Sequence, residues 1–70
     1  MSNWQATKSS RVFAALLRIG WCVVRTSGSH RLLRKEGWPD YVFAFHENAE
    51  LGRAILSRIA KHTGLTPNDL

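Results

Sequence analysis

The hydrophobic periodicity of the chain changes at Gly20 from helical to strand-like, and this change limits the folds that the chain can adopt. Before Gly20, apolar residues recur at steps of three and four, which predicts an amphipathic helix with Ser9 or Ser10 as its N-cap. The expected buried stripe comprises Val12, Leu16 and Ile19, widened by Phe13 and Leu17. After Gly20 the residues are mostly β-branched or aromatic, which is typical of strands.

Three short strands joined by tight turns are predicted after the helix. The expected strands are residues 21–26, 30–35 and 41–45, and the turns between them are 27–29 and 36–40. Side chains alternate between the two faces of a strand. We therefore expect Tyr41, Phe43 and Phe45 on one face of the third strand and Val42 and Ala44 on the other.

A second helix is expected to begin near residues 48–50, where acidic side chains would favour its first turn. Its expected buried stripe is Leu51, Ile55 and Ile59. Arg53, Ser57 and Lys61 share a different side of this helix, which should meet water or a ligand. Gly64 is expected at its C-terminus, followed by a new helical turn over residues 66–69. A three-stranded sheet needs cover on one face, so the sequence predicts an α+β domain of order α-β-β-β-α with both helices on that face.

Seventy residues leave room for one small domain. We expect residues 1–7 to form a flexible N-terminal arm and residues 8–70 to form the domain. Trp4, within the arm, is either a loose packing anchor or part of a contact surface.

The net charge of +5 is unevenly distributed along the chain. Residues 1–35 carry seven cations and no acid, whereas residues 36–70 carry three cations and five acids, a net −2. A strongly basic half favours polyanion binding.

Several classes of protein are not indicated by the sequence. Cys22 is the single cysteine, and it shares no metal-ligand spacing with the three histidines, so we expect no metal and no cofactor. We expect Cys22 to be a small packed side chain. The apolar runs are too short to span a bilayer, and a lone cysteine fits the cytoplasm.

His30 is the candidate reactive residue. It follows the turn at Gly28, with Arg25 before the turn and Arg31 and Arg34 after it. An imidazole among cations that hold phosphates suits acid–base chemistry on RNA. A polar residue at the end of a hairpin is the alternative interpretation.

Residues 25–30, Arg-Thr-Ser-Gly-Ser-His, resemble the R-x-x-G-S-H signature of HicA-type toxins, the small ribonucleases of HicA–HicB toxin–antitoxin pairs. Residues 16–21 are similar to the family's helix end with its Gly and aromatic residue. Residues 42–46 resemble its third strand running into a histidine, and residues 55–65 its terminal helix. The resemblance covers about residues 8–70.

The resemblance implies a double-stranded-RNA-binding-domain-like fold and an mRNA-cleaving activity that depends on His30. It also implies a HicB-type antitoxin, for which an acidic protein would suit the basic half. The residues expected to bind RNA are Arg25, Ser27, Gly28, Ser29, Arg31, Arg34 and Lys35. His46 is a candidate second acid–base group. RNA carries its own nucleophile, the 2′-hydroxyl, so no metal is required.

A non-catalytic RNA-binding module of the same fold is the alternative function. Direct DNA binding is not expected, because no helix-turn-helix signature is present. The aromatic residues of the third strand are expected in the core rather than as a base-stacking stripe. Trp38 is left open between packing and a partner contact.

Overall fold

The computed structural model describes residues 3–70. Their elements are β1 (Thr7–Lys8), α1 (Ser9–Arg18), β2 (Cys22–Ser27), β3 (His30–Arg34), β4 (Tyr41–Ala44), β5 (Glu50–Leu51), α2 (Arg53–Thr63) and a 3₁₀ helix (Pro67–Asp69). The α+β arrangement expected from the sequence, that of a double-stranded-RNA-binding domain, is confirmed. Two short strands, β1 and β5, are additions to it.

The three long strands form one antiparallel sheet in the order β2-β3-β4. Ser27 pairs with His30 across the first hairpin, and His30 pairs with Ala44 on β4. The predicted meander is thus confirmed, with strand ends within about two residues of those expected.

Both helices cover the same face of this sheet. Phe43 stacks against Phe13 of α1, with ring centroids 5.8 Å apart. Tyr41, on the same face of β4, stacks against His62 of α2 at 5.8 Å. The buried core is drawn from both helices, from this face of the sheet and from the segments next to them: Trp4, Val12, Ala15, Leu16, Trp21, Leu33, Phe43, Leu56, Ile59 and Leu65. The opposite face lies open, as the sequence predicts.

The start of α1 differs from the prediction of a serine N-cap. Lys8 is the N-cap and makes no side-chain capping bond, while Ser9 is buried in the first turn. Lys8 pairs with Glu50, and the Ser9 amide donates to the Ala49 carbonyl at 2.9 Å. The extended backbone of β1 therefore leads directly into the helix. The Ala49 carbonyl satisfies one of the first four amides, which have no partner within the helix.

The start of α2 also lies later than expected. Gly52 is its N-cap and no acid stands in its first turn, because Glu50 and Leu51 are paired with β1 as β5. The buried residues of α2 are Leu56, Ile59 and Thr63. Ile55, predicted to be buried, is 47% exposed.

Two further side chains predicted to pack are exposed, Leu17 and Cys22. Leu17 lies at the margin of the α1 stripe, beyond the contacts of the core. Cys22 pairs with Arg34, which shares the face of β3 that carries His30. Cross-strand partners share a face, so Cys22 projects from the open side of the sheet.

The N-terminal segment contributes to the core through Trp4, which is 9% exposed. Of the two roles considered for Trp4, the packing anchor is the one observed. Thr7 pairs with Leu51, so packed structure begins within the segment expected as an arm. Met1 and Ser2, also part of that expectation, lie outside the described residues.

A hydrogen bond connects the residue before β2 with the last residue of α2 at the end of the core. The Trp21 indole Nε1 donates to the Thr63 carbonyl at 3.1 Å. Trp38 stands edge-on to Trp21 with centroids 6.0 Å apart, so it packs although 38% of its surface is exposed. Gly64 follows with φ of +78°, which confirms the predicted helix C-terminus.

The helical turn predicted over residues 66–69 is present as the 3₁₀ helix, and a capping box begins it. The Thr66 amide donates to Asp69 Oδ2 at 2.7 Å, and the Thr66 hydroxyl lies 2.9 Å from the same oxygen. Pro67 occupies the first turn, where its missing amide costs nothing.

Substituting Gly64→Ala should destabilise the protein by about 1–2 kcal/mol, because a left-handed backbone is unfavourable for alanine. The added Cβ would also lie 3.0 Å from Trp38 Cη2. Urea unfolding measures the change. Gly52→Ala is the matched control, since Gly52 has φ of −82° and no atom within 4 Å of the added Cβ. Equal unfolding midpoints for the two variants would contradict the prediction.

Candidate functional site

A tight two-residue turn places His30 at the start of β3. Gly28 has φ of +57°, which the first position of a type II′ hairpin turn requires. Arg31 Nη1 donates to the Gly28 carbonyl at 2.7 Å, and the Phe45 amide donates to the Ser29 carbonyl at 2.7 Å. The turn is therefore held by its own strand and by the chain after β4, which fixes the position of His30.

The strand register brings His30 together with two polar residues of β2. Ser27 lies opposite His30, and Arg25 lies opposite Leu32, two residues further along the same face. Together with Val42 of β4, these four residues line a cavity of about 190 Å³ on the open face of the sheet. His30 itself is solvent-exposed, so a polymeric ligand has access to its ring.

A β-bulge brings Arg25 to this face. The register shifts between Val23 and Arg25, so Cys22 and Arg25 both lie opposite open-face residues of β3 although three positions separate them. A regular strand would place them on opposite faces. The bulge thus aims Arg25 at the His30 cavity, a frequent use of bulges near functional sites.

The cavity combines an imidazole, a guanidinium, a hydroxyl and an apolar floor. The imidazole of His30 can accept or donate a proton. Arg25 supplies a fixed positive charge and Ser27 a hydroxyl. Leu32 and Val42 form an apolar surface beneath them. These groups suit a ligand with both a phosphate and a planar base.

Two of the cations expected around His30 lie elsewhere. Arg31 is next to His30 in β3, so it projects to the helix-covered face, where its guanidinium stands 5.2 Å from the centre of the Phe45 ring. The Lys35 amine is 5.8 Å from the centre of the Trp38 ring. Neither residue lines the cavity, and their expected contact with RNA stays a prediction.

Arg34 projects from the same face of β3 as His30, but its charge is matched. Its guanidinium makes two bonds to the Asp40 carboxylate, Nε to Oδ1 at 3.0 Å and Nη2 to Oδ2 at 2.8 Å. This pairing lowers the pKa of Asp40 and raises that of Arg34, chiefly through the hydrogen bonds. Both side chains are exposed, so the pair adds little stability. To bind a phosphate through both Nε and Nη2, Arg34 would have to break its bonds to Asp40.

His46 lines a different cavity from His30. A groove of about 320 Å³ runs between β4 and α2. It is lined by Tyr41, Val42, Phe43, Ala44, His46, Leu51, Ile55, Arg58 and Ile59. Val42 lines both cavities, so they adjoin at β4. The role of His46 as a second acid–base group stays a prediction.

The remaining titratable rings are used in packing. His62 stacks on Tyr41, with 17° between the ring planes. Burial raises the pKa of the Tyr41 phenol, and the nearby Arg58 charge opposes that shift. Tyr41 is therefore neutral at physiological pH.

Sequence reasoning identified His30, Arg25 and Ser27 but missed Leu32 and Val42 as lining residues. The alternation along the third strand put Val42 on the open face. The pairing of Val42 with Leu32 depends on register, for which a single sequence holds no direct signal.

Within residues 3–70, no cluster of three or more His, Cys, Asp or Glu side chains is arranged to hold a metal ion. A helix of the length and hydrophobicity needed to cross a membrane is likewise not found in this part of the chain.

Comparison with known proteins identifies one family. A family model described as HicA toxin of bacterial toxin-antitoxin matches residues 9–65. Comparisons with curated proteins and with solved structures gave no significant match. The matched range runs from the start of α1 to just beyond α2 and includes the whole sheet and the His30 turn. By this match over most of its length, the chain belongs to the HicA family of toxins of bacterial toxin–antitoxin systems.

Proposed function

We propose that this toxin is a metal-independent endoribonuclease that cleaves mRNA with His30 as its acid–base group. An acidic HicB-type antitoxin would neutralise it. The observation that carries the proposal is the open-face cavity in which His30 and Arg25 stand above an apolar floor. The family match supports the same reading.

The chemistry needs only one well-placed imidazole and the RNA itself. His30 removes the proton of a ribose 2′-hydroxyl, whose oxygen then forms a bond to the adjacent phosphorus. The bond from phosphorus to the 5′-oxygen breaks, and that oxygen takes up a proton from His30 or from water. The products carry a 2′,3′-cyclic phosphate and a 5′-hydroxyl. No metal takes part in any of these steps.

Arg25 is placed to stabilise the negative charge that develops on the phosphate oxygens. The one ion pair among residues 3–70 joins Arg34 to Asp40, so the Arg25 charge has no carboxylate to compete with a phosphate. The Ser27 hydroxyl, opposite His30, adds a donor for a bridging or non-bridging oxygen.

Leu32 and Val42 offer an apolar surface for a base next to the scissile phosphate. Val42 is 53% exposed, and covering such a side chain with a base removes apolar area from water. Bases of single-stranded RNA are free to splay out onto such a surface. Single-stranded mRNA is therefore the substrate class that this face fits.

Removing the imidazole should slow cleavage strongly. His30→Ala is expected to lower the rate on a single-stranded RNA oligonucleotide in EDTA by about 10²–10⁴-fold, the usual contribution of an acid–base group. Mass spectrometry of the products checks for the 2′,3′-cyclic phosphate. His62→Ala is the control, because His62 stacks on Tyr41 away from the cavity. His46→Ala in the same assay tests the candidate second group.

Full activity in a clean His30→Ala preparation would refute the mechanism. RNA that stays intact with the unmodified protein, but binds it, would instead support the non-catalytic RNA-binding module.

Arg25 should contribute one phosphate contact. In a His30→Ala background, which keeps the RNA intact, Arg25→Gln is expected to weaken RNA binding and to reduce the slope of log K against log salt by about 0.7. Fluorescence anisotropy over a salt series measures both. Arg53→Gln removes the same charge from the exposed start of α2, and it should leave the slope unchanged. Equal slopes for the two variants would show that Arg25 makes no specific contact.

A further inference from the structure

The outer edge of β4 carries hydrogen-bonding groups that no other strand uses. β4 is the last strand in the order β2-β3-β4. The Phe45 amide donates to the carbonyl of Ser29, the residue just before β3, and amide directions alternate along a strand. The amides of Val42 and Ala44 therefore point away from β3. Neither amide donates to a backbone or side-chain acceptor within residues 3–70.

The two edges of the sheet differ in their suitability for pairing. β2, at the opposite edge, contains the bulge between Val23 and Arg25, and a bulge disturbs the regular spacing that a further strand needs. β4 pairs with β3 in unbroken register over its four residues. Of the two edges, β4 is the one that presents a regular template.

The groove beside this edge offers pockets for the side chains of an added strand. Ile55 and Val42 are 47% and 53% exposed, and both line it. Arg58 stands in its wall and makes no ion pair within the described part of the chain. The groove thus combines apolar surface with an uncompensated positive charge, and it favours a segment with apolar and acidic residues.

We propose that an extended acidic segment of the antitoxin pairs with β4 as an additional strand and seats its apolar side chains in the groove lined by Ile55. Main-chain hydrogen bonds to an exposed edge are a recurrent mode of peptide recognition. Because strands lie about 4.8 Å apart, the added strand would run about 10 Å from β3. It would end beside Ala44, whose partner is His30. The antitoxin would then reach the His30 cavity from the side.

A second copy of this chain is the other occupant that the edge would admit. A net charge of +5 on each copy opposes that association, whereas the same charge attracts an acidic partner. The proposal rests on the antitoxin part of the proposed function and does not depend on the histidine chemistry.

Amide hydrogen exchange tests the pairing directly. The probe is the His30→Ala toxin in complex with its HicB-type antitoxin. In the free toxin, the Val42 and Ala44 amides should exchange fast and the Phe43 amide slowly. In the complex, Val42 and Ala44 should slow by at least about 10-fold. The Thr26 amide, which faces outward at the β2 edge, should keep its rate.

A matched pair of charge variants tests the groove. Ile55→Glu places an acid against the incoming acidic segment, and it should weaken antitoxin binding by at least about 10-fold in calorimetry. Ser57→Glu makes the same change of net charge on the exposed face of α2, and binding should change by less than about 2-fold.

Two results would overturn the docking proposal alone. One is a complex in which the Val42 and Ala44 amides exchange as fast as in the free toxin. The other is an equal loss of antitoxin affinity for Ile55→Glu and Ser57→Glu. Failure of the two proteins to bind overturns it together with the antitoxin part of the proposed function. A free toxin that is dimeric, with both amides already protected, assigns the edge to a second copy and also overturns the proposal. RNA cleavage enters none of these readouts.

Discussion

The pairing of β3 with both of its neighbours is the constraint on which the rest of the structure depends. In this strand Leu33 and Arg31 face the helices, while His30 and Leu32 face the open side. A slip of one residue would exchange these sets: Leu32 or Arg34 would take the place of Leu33, and the imidazole of His30 would turn towards the helices. The apolar core therefore enforces the register, and the register in turn assembles the His30 cavity. Core packing and site geometry have one physical origin.

The charge of the basic half is spread over the domain rather than concentrated at His30. Of the cations in this half, Arg25 alone lines the His30 cavity. Arg31 binds the Gly28 carbonyl of the turn, and Arg34 binds Asp40. The Lys35 amine lies over the Trp38 ring. A dispersed charge still raises the rate of encounter with RNA or with an acidic protein. In the proposed mechanism, local stabilisation of a phosphate is the task of Arg25. The two tasks are separate, and the salt slope of an Arg25 variant reports only the second.

The small core explains why the candidate site is open. Ten apolar side chains supply the buried cluster, and none of the residues that line the His30 cavity belongs to it. A domain of this size has little interior to give to polar groups. Because the site lies on the open face of the sheet, only a second molecule can cover it. The free edge of β4 gives such a surface a place to attach.

Local sequence determined the three long strands, the turn at Gly28 and the end of α2 at Gly64, because positive φ and period-two alternation are properties of short segments. It also put His30 directly after the turn, and with it the centre of the candidate site. Tertiary structure decided where both helices begin, since β1 and β5 pair across more than 40 residues and claim Lys8 and Glu50 as strand. It also decided which cations meet His30. Whether Arg25 or Arg31 shares its face depends on a bulge and on cross-strand register, which are settled by the packing of Leu33 and Phe43 against the helices.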